Sequence, residues 1–356
     1  MALMLMDWDF HLLGELPYYT SLALTRSYGG LGSFTLQIAR QAAGTEGLQE
    51  GRILFFSDAL HKAMLIDKVA VKDGKITASG KPLKGIAASR VCVPPLVDEG
   101  FFGWDRFIGS AEAAYHHYAA ANLYAPEDGK RKIPRLVPGE NKDRGIVMPW
   151  QSRFGELHAL FSDIGEVTEM GWDIRPNFAE KQYVFGAWMG RDLTTGNQRV
   201  VLSDRNRNVD KASLTLDASA YRSTVYVGGT GEDENRLIRS EGNESAGILR
   251  REVWVDAGSI GETEMLRVAA QNKLDTAVKK QTLTAELLDN GLCRYEQDYD
   301  VGDRVTVEGE GAVMNARLLE MTEVYEGGAR KLTATFGDAP VTFAKELRGT
   351  IFPVVR

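Results

Sequence analysis

The order in which strand-like and helix-like stretches succeed one another constrains this chain most. Strand patterns fill residues 1–95, a helix-rich block spans 96–175, and strands return from 176, with one more helix among them. A doubly wound parallel fold needs strands and helices in regular alternation, so this order argues against one. In the first block, Ser33-Phe34-Thr35-Leu36-Gln37-Ile38 alternates polar and apolar, the period of a half-buried strand. Arg52-Ile53-Leu54-Phe55-Phe56 is a short apolar run that reads as a central strand. Asp73-Gly74 between two β-rich runs predicts a tight hairpin, and Pro94-Pro95 closes the block.

The middle block has two expected helices. Trp104 to Leu123 carries Trp104, Phe107, Ile108, Tyr115 and Tyr118 near helical spacing and stops at Pro126. Arg153 to Met170 places Phe154, Leu157, Leu160, Phe161, Ile164 and Val167 on one stripe, with Ser152 as N-cap and Gly171 as C′ residue. The polar stretch Glu127 to Arg144, with Pro134 and Pro138, reads as loop. Trp172 to Arg175 and Tyr183 to Trp188 form a hairpin pair. Glu262 to Lys280 reads as a helix, and Gly327-Gly328 as the last hairpin turn. The fold class expected is α+β, mainly β, with two β-barrel-like domains and a small helical insertion domain. The first barrel takes residues 1–95 and 176–212, the α-rich insertion 96–175, and the second barrel, with one helix, 213–356.

Composition removes several function classes. With 42 Lys and Arg against 49 Asp and Glu, the net charge of −7 lacks the footprint of a nucleic-acid binder. No apolar run approaches the roughly 18 residues of a membrane span. The apolar start ends at Met6, Asp7 and Asp9 follow, and no Lys or Arg precedes Arg26, so no signal peptide or membrane anchor is expected. Two cysteines, Cys92 and Cys293, cannot build a disulfide framework or a four-thiolate zinc site.

Chemistry-bearing residues are sparse. The histidines are His11, His61, His116, His117 and His158. His116 and His117 are adjacent on an expected helix and diverge by about 100°. A helical metal pair needs a spacing of three or four, and position 120 is Ala. Cys92 sits between valines, as a buried and inert cysteine would. Gly228-Gly229-Thr230-Gly231 follows a strand but lacks the Lys-Ser/Thr of a phosphate loop, and Glu232-Asp233 would repel phosphate, so it reads as a glycine turn. Asp298, Asp300 and Asp303 lack the Gly and Glu spacing of a calcium loop and read as a polar turn. Lys130-Arg131-Lys132 reads as a solvated triplet. No catalytic, cofactor-binding or metal residue is assigned, and a non-enzyme without cofactor is expected.

The motifs, taken in order, carry more than any one of them. Leu13-Gly14-Glu15-Leu16-Pro17-Tyr18 and Thr25-Arg26-Ser27-Tyr28-Gly29-Gly30-Leu31-Gly32 open the chain. Lys84-Gly85-Ile86, Arg131-Lys132-Ile133-Pro134, Gln151-Ser152-Arg153-Phe154, Gly171-Trp172 and Gly190-Arg191-Asp192-Leu193-Thr194 follow. Tyr226-Val227 with its glycine turn, Arg250-Arg251-Glu252-Val253, Val301-Gly302-Asp303-Arg304-Val305 and Thr335-Phe336-Gly337 complete the series. In this order the sequence resembles the ReqiPepy-type siphophage tail proteins. That resemblance implies a structural virion protein, the hub of a tail tip or baseplate, similar to the N-terminal part of tail-associated proteins. It implies a homotrimer whose two barrels per chain match a hexameric tail tube to a threefold tip. Implied partners are the distal tail protein, the tape measure protein and tail fibre or spike proteins. Phage DNA would pass through without specific binding. The chain ends soon after the expected second barrel, which leaves no room for an appended hydrolase or receptor-binding module. Two alternatives are a tail-associated cell-wall hydrolase, tested at His158 or Cys92, and a carbohydrate-binding module using Trp104, Trp150 or Trp188, residues whose ordinary role is core packing.

Overall fold

In a computed structural model of the chain, which describes residues 2–98, 101–258, 260–289, 292–309 and 311–337, seven strands lead. They are β1 (Leu3–Met6), β2 (Leu12–Leu16), β3 (Ser21–Ser27), β4 (Ser33–Ala39), β5 (Ile53–Phe56), β6 (Ala59–Lys72) and β7 (Lys75–Pro82). All four side chains of β5 are buried because a core lies against each of its faces. Ile53 and Phe55 enter one cluster with Met6; Leu54 and Phe56 enter another with Leu3 and Leu5. An unbroken apolar run is the pattern such a two-faced strand needs. The β6–β7 turn is tight because Asp73 and Gly74 both adopt positive φ (49° and 72°).

One long sheet runs in the order β2, β1, β5, β6, β7, β4, β3, then Ala312–Glu326, Ala329–Gly337, Lys280–Leu287 and Val209–Asp217. Two arms from opposite ends of the sequence therefore share one sheet. Their seam is the antiparallel pairing of β3 with Ala312–Glu326, Glu320 opposite Ser27 through Glu326 opposite Ser21. Arg304–Gly309 joins Ala312–Glu326 off this path and takes Val201–Leu202 in parallel. The fold is mainly β, as expected; among the described residues no strand pairing closes this sheet into a barrel.

The middle block departs from its expected boundaries. Asp105–Ser110 is a strand paired with Val147–Ser152, and the helix begins only at Ala111, running over Ala111–Ala119 (α1) and continuing as a π turn over Ala120–Tyr124. Ser110 caps α1 by accepting the Ala113 N–H at 3.2 Å. Apolar spacing at Trp104, Phe107 and Ile108 imitates a helical stripe, but a partner forty residues on wins. The second helix, α2 (Leu157–Thr168), starts later than Arg153, since Ser152 ends a strand and Phe154 has φ 55°. Glu169, in the left-handed region, ends it, and Gly171 lies in the strand Met170–Asn177. That strand pairs with Gln182–Met189, which takes Leu136–Pro138 in parallel. Tyr115, Phe161, Trp172 and Phe185 fill the core of this block.

The described residues divide into two units, one within 2–213 and 283–336, the other within 214–282 with residue 337. The expected domain 213–356 is thus shorter in its described part, because 283–336 returns to the long sheet; residues 338–356 of that expectation lie outside the described residues. Likewise Gln182–Met189, assigned above to a barrel, pairs within the helix-containing block. The second unit is a three-stranded sheet with Thr224–Gly228 at its centre, Ile238–Gly242 antiparallel on one side and Glu252–Asp256 parallel on the other. Helix α3 (Thr263–Thr276) covers one face, packing Leu266 and Ala270 against Val225 and Val227. No described helix is long and apolar enough to cross a membrane.

Candidate functional site

Polar and charged side chains concentrate where the motif segments of the larger unit converge. Tyr28 follows β3 and is buried. Its hydroxyl accepts the Gly190 N–H at 3.0 Å and lies 2.9 Å from the carbonyls of both Glu169 and Trp188, one of which takes its proton. Burial raises the Tyr28 pKa, so the phenol stays neutral. A Cβ at Gly171 or at Gly302 would fall within the Tyr28 ring, so both positions need glycine to admit it. Gly302 also has φ +100°, which L side chains rarely adopt. The Arg317 guanidinium stands 5.4 Å from the ring centre and pairs with Glu169 at 3.0 Å. Arg191 grips Asp303 through Nη2 at 2.6 Å, and the Asp303 Oδ1 also accepts the Arg191 N–H at 2.8 Å.

Lys84 is buried beside this junction. Its ammonium donates to the carbonyls of Ser27 at 2.5 Å and Trp172 at 3.2 Å and lies 5.0 Å from the Trp172 ring centre. Burial pushes its pKa down to about 8.

A second polar cluster ties the segment before Gly302 to β3, β6 and the last two strands. Glu296 accepts from His61 Nε2 at 2.7 Å and pairs with Lys62 at 2.8 Å, Arg26 at 3.2 Å and Arg330 at 3.3 Å. Glu323 takes Lys62 at 2.8 Å, Arg330 at 2.7 Å and the Tyr325 hydroxyl at 2.7 Å on the same oxygen. Lys62 and Glu323 have no side-chain exposure, so each charge depends on the others. For Glu296, burial works to raise the carboxyl pKa, but the His61 hydrogen bond and the Lys62 charge prevail and hold it at about 2.

That value sets a pH dependence. A carboxylate depressed from 4.5 when unfolded to about 2 when folded stabilises the fold fully above pH 4.5. The contribution, at most about 3 kcal/mol, fades as pH falls toward 2. In urea titrations, Glu296→Gln should be less stable than the parent at pH 7, and the gap should narrow between pH 5 and pH 2.5. A gap independent of pH would remove Glu296 from this role.

The residues weighed from sequence fall elsewhere or into these clusters. His11 pairs with Asp7 at 3.0 Å, His117 with Asp105 at 2.6 Å and His158 with Glu156 at 3.5 Å. His116 is buried edge-on to Phe185, and burial lowers its pKa. Cys92 is buried in main-chain bonds with the Phe154–Gly155 turn, and neither cysteine forms a disulfide among the described residues. No group of His, Cys, Asp or Glu among the described residues is placed to hold a metal. Asp298 accepts the Arg294 N–H at 2.6 Å, Asp300 binds Arg26 at 3.1 Å, and Asp303 binds Arg191, so the acidic turn is spent on arginines and main chain. Arg131 of the basic triplet is a tether rather than a free charge, donating to the Val91 carbonyl at 2.8 Å. Trp150 is buried, Trp104 is exposed, and Trp188 lies edge-on to Tyr28. The sequence reading missed Lys62, Glu296 and Glu323 as a group; the glycines of Gly171-Trp172 and Val301-Gly302 were the signal available for Tyr28.

Comparison with known proteins sets this geometry in context. Residues 2–338 match the family model described as Siphovirus ReqiPepy6 Gp37-like protein. No curated protein matches the chain. Among solved structures, the chain is similar to the 43 kDa tail protein of prophage MuSo2 from Shewanella oneidensis, with a TM-score of 0.59 and 10% identity over 95% of this chain and 99% of that one. It is also similar to a tail protein from Neisseria meningitidis MC58 (TM-score 0.58, 14% identity, 96% and 98% covered). A third is prophage tail protein gp18 from Listeria monocytogenes EGD-e (TM-score 0.52, 9% identity, 98% and 98% covered). At these identities the likeness is one of fold.

Proposed function

Because the chain belongs to the siphovirus ReqiPepy6 Gp37-like family, we propose that this phage tail structural protein is the hub of a siphophage tail tip. As a homotrimer, it caps or lines the distal end of the tail channel. The distal tail protein and tape measure protein meet it from the tube side, and fibres or a spike hang from the other. The observation that carries this reading is the span of the likeness: the family match and the tail-protein fold both extend over nearly the whole chain. The geometry at the motif junction supports a non-enzymatic scaffold. Glu296, Asp300, Asp303 and Glu323 are all held by arginine or lysine, which suits rigidity better than proton transfer.

Gold-labelled antibody against the chain tests the assignment on intact virions. Label confined to the distal tip is expected, with about three copies per particle by quantitative mass spectrometry, as threefold closure requires. Label distributed along the tube, or on the head, would overturn it.

A further inference from the structure

Among the described residues, the smaller unit has no layer on one face of its sheet. Val225 and Val227 point to α3; the alternate residues point away from it. The cross-strand register aligns Ser240, Tyr226 and Trp254 in one row across the three strands. Trp254 is 48% exposed, and its ring lies against Gly228, where any Cβ would collide with it. Gly228 thus leaves room for the outer edge of the indole, Cζ2 and Cη2. The Arg236 guanidinium stands 5.3 Å from the ring centre and is paired with Asp256. On the other side Arg250 pairs with Glu252 at 2.6 Å, and both reach the Tyr226 hydroxyl, at 3.2 and 3.3 Å.

We propose that this face is a binding platform for an uncharged saccharide. A pyranose presents axial C–H groups to the negative face of an indole, and its hydroxyls need donors and acceptors placed around that ring. Arginines and carboxylates flank the ring here, and each charge is already neutralised by a neighbour, which disfavours a strongly charged ligand. Size argues against a protein partner. Three strands of five residues offer about 14 by 17 Å, or ~240 Å², against the roughly 800 Å² per partner of a stable protein interface. That area suits two or three sugar rings. The proposal does not depend on the tail-tip assignment, since it rests on the smaller unit alone.

The test applies the full chain to an array of neutral and charged oligosaccharides, with isothermal titration of whichever neutral glycans it retains. The parent and Trp104→Ala should retain a neutral glycan. Trp254→Ala should weaken that binding at least about tenfold, and circular dichroism should show the fold retained, since about half of the side chain is exposed. Failure of the parent to retain any neutral glycan overturns the proposal, as does binding that survives Trp254→Ala. So does a smaller assembly on Trp254→Ala, which would assign the face to a second copy.

Discussion

Replacing Glu323 by alanine should destabilise the larger unit by about 3–5 kcal/mol in urea titrations, because it strands buried cationic charge. Lys62 is fully buried and divides its ammonium between Glu323 and Glu296, each at 2.8 Å, and Arg330 leans on the same two carboxylates. With Glu323 gone, Lys62 keeps Glu296 as its carboxylate partner, and that group is partly exposed and also shared with Arg26 and Arg330. The discriminating control is the double variant Lys62→Met, Glu323→Leu. Apolar replacement of both members of a buried pair is often neutral or better, so the double variant should be more stable than Glu323→Ala. If the two are equally unstable, the cost lies in packing and not in charge.

Gly302→Val should be nearly as damaging, on the order of 4 kcal/mol, from two separate causes. A side chain at φ +100° is strained, and its Cβ would intrude on the Tyr28 ring. The causes separate in a double-mutant cycle with Tyr28→Ala. Removing the ring relieves the collision and leaves the strain, so the double variant should lose less than the sum of the singles by about 1–3 kcal/mol. Strict additivity would show that the ring is not what excludes a side chain there. Gly171→Ala offers a cleaner version, since Gly171 has no positive φ and owes its identity to the ring alone.

Gly171 also shows how far local pattern carries. It follows a helix of the right period and reads as the glycine that ends it, yet Glu169 takes the left-handed position and Gly171 is in a strand. The residue type was informative; the reason for it, an aromatic ring from 143 positions earlier, is not local. The Ile53–Phe56 run and the Asp73-Gly74 and Gly327-Gly328 turns were legible because period and backbone conformation are properties of neighbouring residues. Only the start of the Trp104–Leu123 stretch departs from its helical pattern, because Asp105–Ser110 finds its partner in Val147–Ser152. The Lys62, Glu296 and Glu323 cluster was illegible for the same reason on a larger scale: its members lie up to 261 positions apart. The order of motifs marked the chain's family before the reason for the motifs was visible. In space, Tyr28, Lys84, Gly171, Gly190, Arg191, Gly302 and Asp303 adjoin one buried junction.

The strands that lead into and out of the smaller unit have a consequence for how such a protein can change. Val209–Asp217 and Lys280–Leu287 are neighbours in the long sheet, and Lys211 and Glu286 face each other at 3.1 Å. Entry and exit points that lie side by side can be bridged by a hairpin turn as easily as by a folded module. The intervening sixty-odd residues are therefore laid out as an insertion: replacing them with a short turn should leave the register of the strands that flank them unchanged. A virus carrying this chain could revise what the smaller unit touches without renegotiating the buried junction that holds the rest together.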